Sequence, residues 1–459
     1  MIPLVDAVIE HGLGARYGDL PQPARSAVQT FLLDSLGVGI AGAAHPLTAD
    51  VRRAAMGWGG PGPARIWGAP GSGVTPATAA FVNAFQIHCQ EFDCVHEPAV
   101  VHPMATLLAA VMADVDAAPG PVTGEALCMA LAVGVDLAAG LGVAARSPIK
   151  FFRPANAGLF GAVLALSRLR RFSHEQARDA LGYALAFNAG TMQAHVEGKP
   201  ALPLQIANAA RCAVAAADLA GLGVPGPHDS LEGPFGYFRL FEDAADPSVL
   251  RGGLGRVWRI AEVSHKPFPT GRACQGGIEL MLQLAPRIGA VSDIAQVRLM
   301  APPLIERLVG RPWQAGMTSS YARLCFAYCG ATALRFGRVG LDEFRPGRLI
   351  DEATGQIARK ISVTSDAGGD PAAFTPQQAE IRLNSGEILV AGTEALVGSP
   401  KKPLTASENE AKFRACAAFG FAGPPGALAD ALIFEVSRIE TLRDCSVLSN
   451  LASGQEPAA

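Results

Sequence analysis

Near residue 265 the spacing of apolar side chains changes, and no single layer of secondary structure satisfies both sides of that change. Upstream, stretches such as Ala24 to Leu33 repeat apolar residues at three and four, the period of an amphipathic helix. The pattern predicts helices over 76–91, 103–116, 123–145, 155–170, 174–190 and 203–221, with Ser173 as N-cap and Gln176 at N3 of one of them. Several are apolar nearly all round, which suits interior helices of a large bundle. Downstream, Ile294 to Met300 and Lys360 to Thr364 alternate, as half-buried strands do. Ala379 to Leu383 and Glu387 to Val390 flank Asn384-Ser385-Gly386, a loop suited to a hairpin. Helical spacing returns from Ser407 to Phe419. The fold class expected is therefore mainly α: a helical domain over 1–265, completed by 401–459, and a smaller α+β unit over 266–400.

Composition narrows what such a chain can do. Of 459 residues 49 % are hydrophobic and 17 % charged, so a long disordered chain is excluded. A net charge of -3, with no long basic run, argues against nucleic acid as a partner. The N-terminus lacks a basic segment followed by an apolar core, and the expected location is cytoplasmic. The most apolar stretches, 104–115 and 126–145, are interrupted by Asp114 and Asp136 and read as buried helices rather than membrane spans. Nine scattered cysteines without a C-x-x-C pair look like reduced thiols. Gly59-Gly60-Pro61-Gly62-Pro63 reads as a loop and Gly71-Ser72-Gly73 as a turn, since neither a third glycine nor a strand–helix unit follows to make a dinucleotide site.

Chemistry concentrates in two segments. Asn83 to Pro103 holds His88, His96 and His102 beside Glu91 and Asp93, which supplies proton acceptors near neutral pH and partners to tune them. His88 and Glu91 could share a helical face as metal ligands, but no second ligand pair follows, so no metal is expected. His265 to Gly277 sets Lys266 and Arg272 among prolines and glycines, a shaped cationic backbone suited to carboxylates. Phe151-Phe152-Arg153-Pro154, and Tyr321 with Tyr328, add further candidates.

In this order the segments resemble the MmgE/PrpD family along nearly the whole chain. The carriers are Phe31-Leu32-Leu33-Asp34-Ser35-Leu36-Gly37, the Asn83 to Pro103 segment in place of N-G-x-x-x-H-x-x-D-F-D-D-T-H…H-P, and Lys266-Pro267-Phe268-Pro269 with Arg272 in place of K-P-Y-P-C-C-R. The resemblance implies a large helical domain with an α+β lid, a homodimer, and an active site between the domains that uses no cofactor. By position it carries acid/base roles to Glu91, Asp93, His102, Lys266 and Tyr328. Departures fall at Cys94, Val95, Arg153, Leu202 and Gln275, with Lys199 and His195 near enough in sequence to Leu202 to stand in for a lost lysine.

Such enzymes act on small di- or tricarboxylates at a carbon next to a carboxylate. Removing that proton needs cations to neutralise the developing enediolate and a base within reach. Arg153, Lys266 and Arg272 would supply the cations, with His96 and Gln275 as further substrate contacts. His102 or Lys266, the latter tuned by neighbouring cations, would be the base, and the other of the two or Tyr328 the acid. Glu91 and Asp93 would orient His102 or His96. The implied activity is a lyase of the dehydratase or decarboxylase type. An epimerase and a carboxylate-binding protein without turnover are the alternatives.

Overall fold

The computed structural model describes residues 2–71, 73–365, 370–421 and 426–455. Ser72 of the expected turn lies outside the described residues, as do 422–425 and 456–459 of the C-terminal stretch. The protein is mainly α. Its principal helices are α1 (Gln22–Gly42), α2 (Pro76–His88), α3 (Pro103–Ala117), α4 (Gly124–Ala144), α5 (Arg153–Leu169), α6 (Ala201–Gly221), α7 (Arg272–Leu284), α8 (Phe326–Phe336) and α9 (Ala406–Gly420). Helix boundaries follow the apolar period closely except at C-termini. The helix expected over 76–91 stops at His88, and the one over 174–190 stops at Ala186. Ser173 and Gln176 form the expected capping box.

Two hydrophobic cores organise the chain. The larger is built by α1 to α6, and α2 and α3 are buried on nearly every face. Of the chain's helices α4 is long and apolar enough to cross a bilayer, but 89 % of its most apolar window is buried within this core. It crosses α5 at close range: a Cβ on Gly161 would lie 2.3 Å from the Gly134 carbonyl oxygen, so the contact exists only because both positions lack a side chain.

One expectation for this half needs correction. Pro61 to Pro63 is not merely loop but begins the short strand β1 (Pro61–Ala64), bridged to Val74, which puts Ala64 into the core. Alternation is lost over four residues of Gly, Pro and Ala, so no strand signal survives in the sequence.

The second core lies on a four-stranded sheet. Its strands are β2 (Ile294–Ala301), β3 (Ile361–Ser365), β4 (Gln377–Leu383) and β5 (Ile388–Thr393), in the order β3-β2-β4-β5. β2 runs parallel to β3 and antiparallel to β4, and β4 and β5 form the expected hairpin. In this register Val297, Ile381 and Leu389 align on one face, as do Leu299, Ala379 and Ala391, and all are buried under α7 and α8.

After the sheet the chain returns to the helical part. α9 packs on α1, where a Cβ on Gly37 would meet the Phe413 ring at 2.7 Å. Beside Phe413, Lys412 is buried and pairs with the fully buried Asp34 at 2.6 Å. It also donates to the Phe92 carbonyl at 2.9 Å and sits over the Phe92 ring. One ammonium thus joins α1, α9 and the loop after α2. Removing one member of a buried ion pair leaves the other uncompensated, at a cost of about 3–5 kcal/mol. Lys412→Met should therefore lower the denaturation midpoint sharply, and Asp34→Asn added to it should recover much of the loss, as read by urea unfolding monitored by circular dichroism.

Candidate active site

The loop between α2 and α3 supplies most of the ionisable groups. Where α2 ends at His88, Cys89 still has helical dihedrals, but Glu91 adopts a left-handed backbone with φ +49°. For a residue other than glycine this costs about 1–3 kcal/mol and persists only where its surroundings enforce it. Lys266 enforces it here, donating to both the carbonyl oxygen and Oε2 of Glu91 at 3.1 Å.

A backbone tether delivers Lys266. Val95 and Ser264 exchange hydrogen bonds of 3.0 and 2.8 Å, which lays the 264–266 segment along the loop. The His265 N–H then donates to the Gly398 carbonyl at 2.9 Å. Gly398 has φ +85°, and a Cβ there would stand 2.6 Å from the His265 carbonyl oxygen, so only glycine permits this approach.

Asp93 sits at the convergence, fully buried. Its Oδ2 meets His88 Nδ1 at 3.0 Å and His102 Nδ1 at 3.1 Å, and its Oδ1 lies 3.8 Å from Lys266 Nζ. The two imidazoles stand edge to face with centroids 4.9 Å apart. An ionised carboxylate only accepts, so both rings carry their proton on Nδ1, and Nε2 is left as the nitrogen whose protonation can vary.

The surrounding charges polarise this pair. Burial disfavours a charged His88, but Asp93 and Glu91 outweigh it and raise its pKa above the ordinary histidine value. For His102 burial prevails, helped by Lys266 and His88, and its pKa falls despite Asp93. Burial opposes ionisation of the carboxyls as well. His88, His102 and Lys266 nonetheless hold Asp93 well below its usual range, and Lys266, His88 and His102 bring Glu91 to about 2. The surroundings thus favour the charged form of His88 and the neutral form of His102 beside two ionised carboxylates.

Of these groups His88, Glu91 and His102 border a cavity of about 70 Å³ walled by both parts of the chain. His88, Glu91, His102 and Phe152 come from the helical part, Arg272, Leu308 and Phe374 from the part that carries the sheet. His88, Asp93 and His102 also present one ligand atom each within 4.8 Å of one another. Their mutual distances are those of hydrogen bonds, and the Lys266 ammonium already stands beside the shared carboxylate, so the set is arranged for protons rather than as an open metal site.

Comparison with known proteins gives the constellation its context. The MmgE/PrpD N-terminal domain matches residues 10–250 and the MmgE/PrpD C-terminal domain residues 268–425. This chain belongs to the MmgE/PrpD family. The family was legible in the sequence, and with it an enzyme of lyase type. Among similar proteins are the human cis-aconitate decarboxylase, 26 % identical with 97 % of this chain and 93 % of that protein covered, and its mouse counterpart, 26 % identical with 92 % and 88 % covered. A cis-aconitate decarboxylase-like protein, oryM, of Aspergillus oryzae is also 26 % identical, with 86 % of each chain covered.

Of the residues that the MmgE/PrpD resemblance singles out, Glu91, Asp93, His102 and Lys266 come together as described. Lys266 is met by two carboxylates, not by the cations the sequence reading placed beside it. Arg272 reaches the cavity wall. Its Nε and Nη2 lie 2.8 and 2.7 Å from Glu97 Oε1, and its Nη1 donates to the His265 and Val397 carbonyls and to Gln275 Oε1. Gln275 braces this segment from behind, donating to the Phe268 and Thr270 carbonyls, and does not border the cavity.

Three residues do not join the centre. Arg153 is held in a two-pronged pair with Glu242, both bonds 2.8 Å, and donates to the Ser147 carbonyl, so its Nε and Nη2 are engaged within the protein. His96 accepts the Ala99 N–H and meets Glu262 at 2.9 Å, which fixes the turn toward Val100 instead of contacting Asp93. Tyr328 points into the second core, where its hydroxyl donates to the Glu343 carbonyl, because that face of α8 covers the sheet. His88 and Glu91 do not share a helical face, since the helix ends between them.

Two residues gained importance. His88 was visible in the sequence as the histidine of the family motif, and only its position five residues before Asp93 hinted at a shared carboxylate. His195 lines the cavity, with burial and Arg311 lowering its pKa to about 4. The charge asymmetry at Asp93 can be measured directly. Nitrogen-15 NMR of histidine-labelled protein at neutral pH should show His88 with both nitrogens protonated and His102 as the neutral Nδ1–H form, assigned with single His→Gln variants. In Asp93→Asn the His88 signal should move toward the neutral form, because the charge that raises its pKa is gone.

Proposed function

We propose that this MmgE/PrpD protein is a lyase that moves a proton at a carbon next to a carboxylate of a small acid, with His102 as base and His88 as acid. The observation that carries this reading is the single Asp93 carboxylate shared by two imidazoles at the wall of a cavity, in surroundings that favour charge on His88 and disfavour it on His102. His102 Nε2 has no protein partner among the described residues and keeps its lone pair for a substrate proton. If the substrate bears a β-hydroxyl, the C–H electrons form the double bond, the C–O bond breaks, and the departing oxygen takes the His88 proton and leaves as water. If a carboxylate is lost, the C–C bond breaks, carbon dioxide leaves, and the electron pair left on carbon takes that proton. Arg272, at the cavity wall, offsets charge on the enediolate, while Lys266 acts from behind through Glu91 and Asp93.

The proton-transfer groups gather around one carboxylate. That supports elimination or loss of carbon dioxide over inversion, which needs acid and base on opposite faces of the carbon. The cis-aconitate decarboxylases similar to this chain support the lyase reading. A lid role for the sheet-bearing part draws support from its share of the cavity wall. The proposal also takes the enzyme to be a cytoplasmic homodimer without a cofactor. The nine cysteines are unpaired, as a reducing compartment leaves them.

Incubation with carboxylic acids in deuterated water, followed by proton NMR, tests the reaction. New vinyl signals or carbon dioxide release are expected; deuterium incorporation with inverted configuration and no other product would replace this reading by an epimerase. His102→Gln should lower kcat by about 10²–10⁴-fold. The profile of kcat/KM against pH should be a bell. It rises as His102 loses its proton below the ordinary histidine value of about 6.5, and falls as His88 loses its own above that value.

A further inference from the structure

We infer that Lys199 selects for a second carboxylate on the substrate, holding it at the rim of the cavity away from the reacting carbon; the inference rests on the lyase reading above. His88, Glu91, Leu202 and Leu324 border the main cavity and also a notch of about 10 Å³ beside it, with room for about one water-sized group. Lys199 stands at that notch, and Leu202, just after it in the chain, borders both spaces. The lysine side chain is exposed and makes no hydrogen bond or ion pair among the described residues. Its backbone is fixed all the same. Gly198 takes a left-handed turn with φ +63° at the end of the short helix Gln193–Glu197, and the Lys199 N–H donates to the Ala194 carbonyl at 2.9 Å. The part that carries the sheet clasps this turn, since Thr318 Oγ1 donates to the Gly198 carbonyl at 3.2 Å.

Charge balance gives this lysine its task. Glu91 borders both spaces, but Lys266 already answers its charge, as Glu242 answers Arg153 and Glu97 answers Arg272. A further carboxylate brought beside the ionised Glu91 therefore needs a cation that no protein carboxylate has taken. Lys199 is such a cation, and Arg311 stands behind it. Among the described residues Arg311 pairs with no carboxylate; its Nη2 donates to the His195 carbonyl at 2.9 Å, and its buried Nη1 lacks a hydrogen-bond partner. That nitrogen is closed off, so Arg311 acts by its field, whereas the flexible stem of Lys199 lets its ammonium swing from the rim into the notch. The His195 ring borders the main cavity without a protein partner among the described residues, and burial and Arg311 keep it neutral, so it can add an N–H to the same carboxylate.

The test separates binding from turnover on the full-length protein. Titration calorimetry gives Kd for cis-aconitate, citrate and the monoacid crotonate, and proton NMR in deuterated water follows exchange and turnover of the same acids. Lys199→Met, at an exposed position that the fold tolerates, should raise Kd for cis-aconitate or citrate by about 10-fold or more and cut the preference over crotonate by the same factor. KM should rise with Kd, kcat carrying the smaller part of the loss, because the contact lies away from the reacting carbon. Lys199→Arg should keep most of the affinity and Lys199→Glu should lower it below that of Lys199→Met, an order that a merely structural role would not produce. Equal Kd in Lys199→Met and the unaltered protein, or no binding of either polyacid by the unaltered protein, overturns the inference and leaves the lyase reading standing. A Kd that shifts as expected while no acid exchanges or turns over overturns the lyase reading instead.

Discussion

A buried carboxylate that three basic side chains must share is the constraint on which this structure turns. Asp93 has no water to ionise into, so it stays charged only while His88, His102 and Lys266 remain within reach. Those partners come from the end of one helix, the start of another, and a segment more than a hundred residues away. Once the four are assembled, the unequal protonation of the histidines follows from burial and charge alone. The left-handed backbone at Glu91 has the same origin, because the lysine that serves Asp93 also grips the glutamate. Structure and proposed chemistry are here one electrostatic problem.

The apolar character of the neighbouring cavity is the counterpart of that assembly. The cations next to Asp93 are matched by carboxylates and leave little uncompensated positive charge on the wall beside them. Arg272 and Arg153 show how far a cation's sequence position is from its availability, since each is fully in place yet largely consumed by Glu97 or Glu242.

How much could be read beforehand differs between levels. Helix periodicity, the hairpin over β4 and β5, the family, and the meeting of Glu91, Asp93, His102 and Lys266 were legible, because local patterns and motif positions encode them. The sheet order was not, since the parallel pairing of β2 with β3 joins segments whose alternation specifies a face but not a neighbour. The short strand at Pro61 left no periodic trace. For Tyr328, Arg153 and His96 the residue type suggested chemistry, whereas their partners Glu343, Glu242 and Glu262 lie elsewhere in the chain and carry no mark in the sequence. Side-chain pairing at long range is decided by packing.

The reach of Lys412 into the core beneath the loop has a bearing on biosynthesis. Lys412 follows every strand of the sheet along the chain, and until it emerges from the ribosome Asp34 lies uncompensated and the Phe92 carbonyl lacks its donor. Every residue that lines the cavity can therefore have been made while the loop beneath it still lacks this support. Completion of this centre thus waits on a residue that takes no part in moving protons.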